Sequence, residues 1–164
     1  MPEPGIHLRP ARDSDLSFVH NSWKKSLREY SPKLGNDAYY TLANAVCHGV
    51  LDADPILLVA HSETAPSVIR GWVCAEATPT ATVLWMAYCK AWSRRQGIFT
   101  LLLNAAQAMA IEEGAGSSRV FAFDTRLDSH LERRGWTRLS VAKALHLRAA
   151  PSLIESSVGG THLP

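Results

Sequence analysis

The segment with the clearest chemical potential is a basic, glycine-containing loop between a strand and a helix. Arg94, Arg95 and Gly97 follow an apolar run that ends at Cys89, and a helical pattern begins at Ile98. The first amides of a helix have no internal partner, and its dipole places partial positive charge there. Gly97 lets an anion approach the backbone, and two arginines add charge that suits phosphate. The loop therefore predicts a pyrophosphate site, although the same residues also occur in solvated turns.

Composition indicates a soluble globular protein and narrows the classes of partner. Of the 164 residues 46% are hydrophobic and 20% are charged, and the net charge of +2 does not by itself indicate nucleic acid or a membrane surface. The widely spaced Cys47, Cys74 and Cys89 predict reduced thiols rather than disulfides, and we expect no metal site. No signal peptide and no apolar stretch of about 20 residues is visible, so a cytoplasmic protein is expected.

The periodicity of apolar residues and the turn signals predict a β-α-α-β-β-β-α-β-α-β order. Strand signals lie at 6–9, 56–61, 68–77, 81–89, 119–124 and 136–147, the last as one strand or two, and helix signals lie at 13–30, 36–50, 98–113 and 129–134. We expect one domain over 1–148 and a flexible tail over 149–164. The strand, glycine turn, helix and strand from 81 to 124 form a βαβ unit, which predicts parallel strands within an otherwise antiparallel, mixed sheet.

The loop, together with its flanking segments, resembles the GNAT acetyltransferase superfamily. Its cofactor motif reads Arg/Gln-x-x-Gly-x-Gly/Ala after a strand, and Arg94 and Gly97 match the first position and the first glycine. The opening segment 6–11 and the segment 131–136 are similar to the family's first strand and its late helix with a Gly-aromatic end. The phrase 18–23 also resembles small GNAT-type proteins of tailed phages. The implied fold is α/β, a mixed central sheet flanked by helices.

The resemblance implies acetyl-CoA as cofactor and a place for each of its parts. The parallel strands ending near Cys89 and Asp124 would splay apart, and pantetheine would enter the gap like a strand. Backbone groups near Tyr88, Cys89 and Lys90 would bind the pantetheine arm and orient the thioester carbonyl. The pyrophosphate would be held by residues of the loop and helix start: Arg94, Arg95, Gln96, Gly97, Ile98, Phe99 and Thr100.

Two residues depart from the family pattern. Phe99 stands where the motif has Gly or Ala, so the anion site is retained only if the ring points away from the phosphates. Leu131 stands where many members carry a Tyr that protonates the leaving thiolate. The alternatives near the site are His130, Ser129 and Tyr88. General acid help contributes roughly 10²–10⁴-fold, so its loss would slow the reaction without forbidding it.

The remaining candidate residues have both a functional and a structural interpretation. Glu76 is a candidate base for the attacking amine if it faces the cleft, and otherwise it is a solvated carboxylate at the sheet margin. Cys89 is not expected to be a nucleophile, because direct transfer from a thioester needs no covalent intermediate. Three tryptophans are interpreted as packing residues: Trp85, Trp92 and Trp136.

The sequence leaves three functions open. The first is an N-acyltransferase that moves an acetyl or other short acyl group from CoA to an amine of a small molecule or a protein. The second is a Mom-like enzyme that modifies a nucleobase, with Arg126, Arg133, Arg134 and Arg138 facing the phosphate backbone. The third is an inactive GNAT-like binding domain. A dimer is left open, and no membrane partner is expected.

Overall fold

The centre of the molecule is a six-stranded sheet whose strands follow one another in sequence order. The computed structural model describes residues 5–30, 35–123 and 128–149. Its strands are β1 (Ile6–Pro10), β2 (Ile56–Ser62), β3 (Ile69–Ala77), β4 (Ala81–Cys89), β5 (Ser118–Phe121) and β6 (Thr137–Arg138). Its helices are α1 (Asp13–Tyr30), α2 (Asn36–Leu51), α3 (Ile98–Glu112), α4 (Asp128–Arg133) and α5 (Val141–Ala149). A 3₁₀ turn, Ala91–Ser93, links β4 to the loop before α3.

The pairing of the strands confirms the predicted mixed sheet. The three pairs from β1 to β4 are antiparallel, whereas β4 pairs with β5, and β5 with β6, in parallel. Helix α3 makes the crossover between the two parallel strands β4 and β5. It ends where the sequence predicted, because Gly114 just beyond it adopts a left-handed φ of 92°.

The prediction of a last strand, or of two short strands, over 136–147 is wrong. Only Thr137–Arg138 pair with β5, and Val141–Ala149 form helix α5 instead. The backbone amide of Lys143 donates to Ser140 Oγ at 3.3 Å, which caps the first turn of this helix. Ala144 is fully buried and is flanked by exposed residues. This segment therefore packs one helical face inward, whereas a strand would bury every second residue. Of the predicted tail over 149–164, the residues from 150 onward lie outside the described part of the chain.

Helices cover both faces of the sheet. Adjacent residues of β3 point to opposite faces: the indole of Trp72 donates to Ser22 Oγ of α1 at 2.8 Å, whereas Gly71 faces Leu102 of α3. Helix α2 packs beside α1 and buries Tyr39. Tyr40 is 55% exposed. No helix within the described ranges combines the length and apolarity needed to cross a bilayer.

An ion pair fixes the start of α1 against β1. Arg9 donates to Asp15 from both terminal guanidinium nitrogens, at 2.6 and 3.2 Å, and the amide of Arg12 donates to the same carboxylate at 2.7 Å. The third residue of a helix often closes its N-terminus in this way. The guanidinium of Arg9 holds the pKa of Asp15 below its ordinary value, because the ionised carboxylate is the form that accepts these bonds.

Candidate functional site

The parallel strands β4 and β5 part halfway along β4. Their register runs from Ala81↔Ser118 to Leu84↔Phe121, and the last link is the amide of Ala122, which donates to Leu84 O at 3.1 Å. The next residue, Trp85, is a β-bulge, since Leu84 pairs with Ala75 and Met86 pairs with Cys74 on the other side. A bulge bends a strand and increases its twist. Residues 85–89 of β4 therefore lead away from β5, and the predicted cleft opens between them.

The loop beyond β4 folds tightly before α3. Arg95 and Gly97 both adopt left-handed φ values, 66° and 75°. No side chain caps α3, and its first turn carries no acidic residue. The first helical bond runs from the amide of Leu101 to Gly97 O, so the amides of Ile98, Phe99 and Thr100 have no helical partner.

Three basic side chains lie on or near this loop. The guanidiniums of Arg94 and Arg95 belong to exposed residues, and Arg134 of α4 donates to Thr100 Oγ1 at 3.2 Å. The ring of Phe99 lies edge-on to His130 of α4, with centroids 5.7 Å apart. The Phe99 ring thus packs between α3 and α4. Ser93 of the same loop is 1% exposed, and its Oγ has no hydrogen-bond partner among the described residues.

The end of β4 carries an aromatic and cationic cluster on the α1 side. The ring of Tyr88 contacts Phe18 of α1 and Trp72 of β3, at 5.9 and 6.3 Å between centroids. The ammonium of Lys90 lies 4.9 Å from the ring of Phe18. Trp92 is not the packing residue predicted from the sequence, because it is 56% exposed. Lys90 lies 5.7 Å from the ring of Trp92.

Cys89 faces the opposite side of the sheet, toward α3. A Cβ on Gly71 would lie 3.0 Å from Cys89 Sγ and 3.3 Å from a methyl of Leu102. Burial raises the pKa of the Cys89 thiol to about 12, which leaves it protonated and a poor nucleophile at neutral pH. The cleft-side contribution of this residue is therefore its backbone.

Glu76 is held in an ion pair behind the bulge. Its Oε2 accepts from Trp85 Nε1 at 2.7 Å and from Arg148 of α5 at 2.9 and 3.1 Å. The guanidinium of Arg148 also lies 5.3 Å from the centroid of the Trp85 ring. The carboxylate thus fixes the bulge side chain and joins α5 to the sheet.

His130 and its neighbour Leu131 have contrasting environments on α4. Leu131 is fully buried and belongs to the core, so the family's tyrosine position is filled by a packing residue. His130 is partly buried, and its Nε2 has no hydrogen-bond partner in the described part of the chain. Burial, with a smaller contribution from Arg134 and Arg133, lowers the pKa of His130. A neutral imidazole at neutral pH follows from this direction.

A cavity of about 590 Å³ lies between α1, α2 and the sheet. Sequence reasoning did not predict it. Its walls are mainly aromatic and aliphatic: Trp23, Leu27, Tyr39, Leu42, Ala43, Val46, Trp85, Ala122, Phe123, Arg138, Leu139, Ser140 and Val141. The bulge residue and the two residues after β5 belong to this set, so the cavity reaches the point where the strands part. The apolar stripes of α1 and α2 were the sequence signal for these walls, but such stripes predict helices packed on a hydrophobic core.

Solved structures provide the comparison for this arrangement. A GCN5-related N-acetyltransferase from Ralstonia eutropha superposes with a TM-score of 0.65 at 17% identity, over 81% of this chain and 93% of that chain. The PaiA N-acetyltransferase of Thermoplasma acidophilum, in complex with coenzyme A, gives 0.57 at 14% identity, over 79% and 86%. The chain has the GNAT fold. A GNAT acetyltransferase from Brucella melitensis, in complex with acetyl-CoA, gives 0.54 at 14% identity, over 79% and 81%.

No protein-family profile and no curated protein sequence matches this chain. Within the GNAT fold the predicted cofactor residues Tyr88 to Thr100 form one continuous stretch, from the diverging half of β4 to the first turn of α3. The three candidate catalytic side chains do not converge. Tyr88 lies under α1, Glu76 pairs with α5, and His130 lies against Phe99. None of the three lines the cavity.

The arginines considered for nucleic acid have different surroundings, and the nucleic-acid interpretation stays a prediction. Arg133 is exposed. Arg134 donates to Thr100, Arg138 pairs with Asp128 at 3.3 Å, and Arg126 lies outside the described residues. Among the residues that the structure describes, no group of three or more His, Cys, Asp or Glu side chains is arranged to hold a metal ion. The narrower resemblance to phage proteins stays a prediction.

Proposed function

We propose that the protein is an acyl-CoA-dependent N-acyltransferase that transfers an acetyl or other short acyl group to a primary amine. The observation that carries the proposal is the parting of β4 and β5 after Leu84 and Phe121, directly ahead of the uncapped start of α3. One arrangement thus offers unpaired strand backbone for an extended arm and helix amides for a pyrophosphate. The crystallised GNAT neighbours that contain coenzyme A or acetyl-CoA support this proposal.

The residues present fit such a donor. The amides of Ile98, Phe99 and Thr100 would hold the pyrophosphate, and Arg94 and Arg95 would add charge to this end of the site. The unpartnered Oγ of buried Ser93 in the same loop is consistent with a missing polar ligand. Bound acetyl-CoA would supply a thioester: the amine nitrogen would bond to the acyl carbon as the C–S bond breaks, and the proton that nitrogen loses would end on sulfur.

Proton transfer is proposed to involve Tyr88 or His130 rather than Glu76. The Oε2 of Glu76 already accepts hydrogen bonds from Arg148 and Trp85, and Glu76 itself is not among the described lining residues of the cavity. His130 keeps an unpartnered Nε2, and its lowered pKa favours the neutral form that can accept a proton. Tyr88 lies on the diverging half of β4, where its hydroxyl can serve as an acid.

Thermal unfolding with and without acetyl-CoA tests the donor site. At a concentration of about 100 Kd the ligand contributes about 2.7 kcal/mol, which raises Tm by roughly 5–10 °C for a chain of this size. The Gly97→Glu variant should lose this shift, because a carboxylate and a Cβ would replace the anion cradle. A wild-type protein whose Tm does not respond to acetyl-CoA would contradict the proposal.

Gly114→Glu is the matched control for this measurement. Gly114 lies at the other end of the same helix, also with a left-handed φ, and a Cβ there would meet nothing within 4 Å. The two substitutions therefore impose similar backbone strain. We expect both to lower the Tm of the ligand-free protein and only Gly114→Glu to retain the response to acetyl-CoA.

A further inference from the structure

We infer that the cavity between α1, α2 and the sheet binds the acceptor, and that this acceptor is a small primary amine with a compact apolar or aromatic body. The inference rests on the proposed function and names the substrate class of that site. The volume of about 590 Å³ lies within the range of roughly 300–1,000 Å³ found for small-molecule pockets. It is large enough for a single small ring system.

The polar atoms of two aromatic wall residues, Tyr39 and Trp85, already bind other partners. The hydroxyl of Tyr39 donates to the backbone oxygen of Lys24, and the indole nitrogen of Trp85 donates to Glu76. Both rings therefore present carbon surface to the cavity while their polar ends point to other partners. Ser140 Oγ accepts from the amide of Lys143. A ligand rich in hydroxyl groups would lose its bonds to water here and gain few in return.

The charges around the cavity disfavour a polycation. No carboxylate belongs to its described lining, and the charged lining residue in that part of the chain is Arg138, which pairs with Asp128. An ammonium group that enters these apolar surroundings is destabilised by desolvation. Desolvation favours the neutral amine, which is the nucleophilic form, so the cavity contributes to deprotonation of the amine.

The cavity also lies where an acceptor must approach the donor. Trp85 is the bulge at which β4 leaves β5, and Ala122 and Phe123 directly follow the last pair of β5. These three residues line one end of the cavity, so an amine bound in it faces the gap between the strands. The opposite walls come from α1 and α2, which fix the size of the apolar body.

Binding measured without any donor is the primary test. Calorimetric titration of the wild-type protein would compare three apolar amines, 2-phenylethylamine, tryptamine and 3-methylbutylamine, with putrescine and spermidine. We expect at least one apolar amine to bind at least about tenfold more tightly than either polyamine, since only it buries apolar surface. Trp23 and Trp85 line the cavity, so the same ligand should change the tryptophan fluorescence.

A pair of variants ties the binding to the cavity. Leu42 lines it at the rim and is 53% exposed, so Leu42→Glu is compatible with folding and places a carboxylate beside the ligand. We expect it to weaken the apolar amine about three- to tenfold and to strengthen putrescine, whose second ammonium it attracts. Thr41→Glu, at the adjacent exposed position outside the lining, should leave both affinities unchanged.

The outcomes separate this inference from the proposed function. Polyamine binding as tight as that of the apolar amines, or no binding of any apolar amine, overturns the acceptor class while the Tm response to acetyl-CoA still supports the donor site. Equal effects of Leu42→Glu and Thr41→Glu would also overturn the assignment to this cavity. Apolar-amine binding without any response to acetyl-CoA contradicts the proposed acyltransferase and leaves the cavity as an amine site. Thiol release from acetyl-CoA with the same amines provides the matching turnover measurement.

Discussion

At the scale of single residues, Asp15 shows how a carboxylate early in the chain organises the fold. It accepts three hydrogen bonds, from Arg9 of β1 and from the amide that precedes α1, although the residue is only 5% exposed. Arg9 belongs to the opening segment 6–11, which resembles the first strand of the GNAT family. In this structure the Arg9–Asp15 pair locks the first strand to the first helix.

The Asp15–Arg9 pair gives stability that depends on pH. The native pKa of Asp15 lies below the ordinary value of about 3.9, so its contribution is fully present above that value and is lost as pH falls through the native pKa. We expect Asp15→Asn to lower the free energy of unfolding by about 1–3 kcal/mol at pH 7. Urea unfolding at pH 7 and near pH 2.5 would measure it, and the difference from wild type should shrink at the lower pH.

Asp13→Asn is the control for this pair. Asp13 occupies the same helical turn but is exposed, so its replacement should change the free energy of unfolding by no more than about 0.5 kcal/mol. A wild-type advantage over Asp15→Asn that stays constant down to pH 2.5 would contradict the proposed linkage.

At the scale of elements, α5 marks the limit of prediction from sequence. The β-rich composition of 136–147 favoured a strand, but a strand there needs a partner beyond β5, and only Thr137 and Arg138 find one. Helix α5 instead turns back over the α2 side, where Arg148 donates to Gly49 O and to Glu76. Glu76 and Arg148 are 72 residues apart. Local patterning does not encode such a long-range pair, so the role of Glu76 was open from sequence alone.

This placement predicts that Glu76 positions α5 and Trp85 rather than acting as the base. Glu76→Gln keeps the shape but removes the charge opposite Arg148, so the free energy of unfolding should fall by about 1–2 kcal/mol. The kcat for an apolar amine should change by less than about threefold, with an unaltered pH profile. Glu112→Gln, on the exposed side of α3, is the control. An unchanged Tm with a loss of kcat of about 10²-fold or more would identify Glu76 as the base instead.

At the scale of the whole molecule, the order of elements up to β6 and the mixed sheet were predictable because each depends on local signals. Gly97 precedes α3 and Gly114 follows it. Clear turns separate the apolar runs of β2, β3 and β4. The cavity was not predictable, because its lining comes from α1, α2, β4 and the segment around Leu139. Residues such as Trp23 and Trp85 carry the same sequence signal whether they face a core or a cavity.

The parallel half of the sheet also depends on one close backbone approach. The amide of Gly116 donates to Thr78 O at 3.0 Å, and a Cβ at Gly116 would lie 2.3–2.5 Å from backbone atoms of Thr80. Gly116→Ala should therefore displace the entry to β5 from the β3–β4 turn and lower the free energy of unfolding by about 1–3 kcal/mol. Chemical denaturation measures this effect.

Gly49→Ala provides the contrast. Gly49 lies within α2, and a Cβ there would meet nothing within 4 Å, so alanine should raise the free energy of unfolding by about 0.5–1 kcal/mol. If Gly116→Ala and Gly49→Ala lowered the free energy of unfolding by similar amounts, the close contact with Thr80 would not be the cause of the loss at Gly116.

The bulge at Trp85 leaves the sheet with an edge in its interior. Beyond Leu84, the backbone groups of β4 that face β5 have no strand partner among the described residues. Unpaired strand edges are templates for association with other chains, and proteins normally shorten, charge or cover them. On the proposed function the cover is the donor itself, so the cell's supply of acyl-CoA sets not only how fast the protein works but how well this internal edge is protected from aggregation.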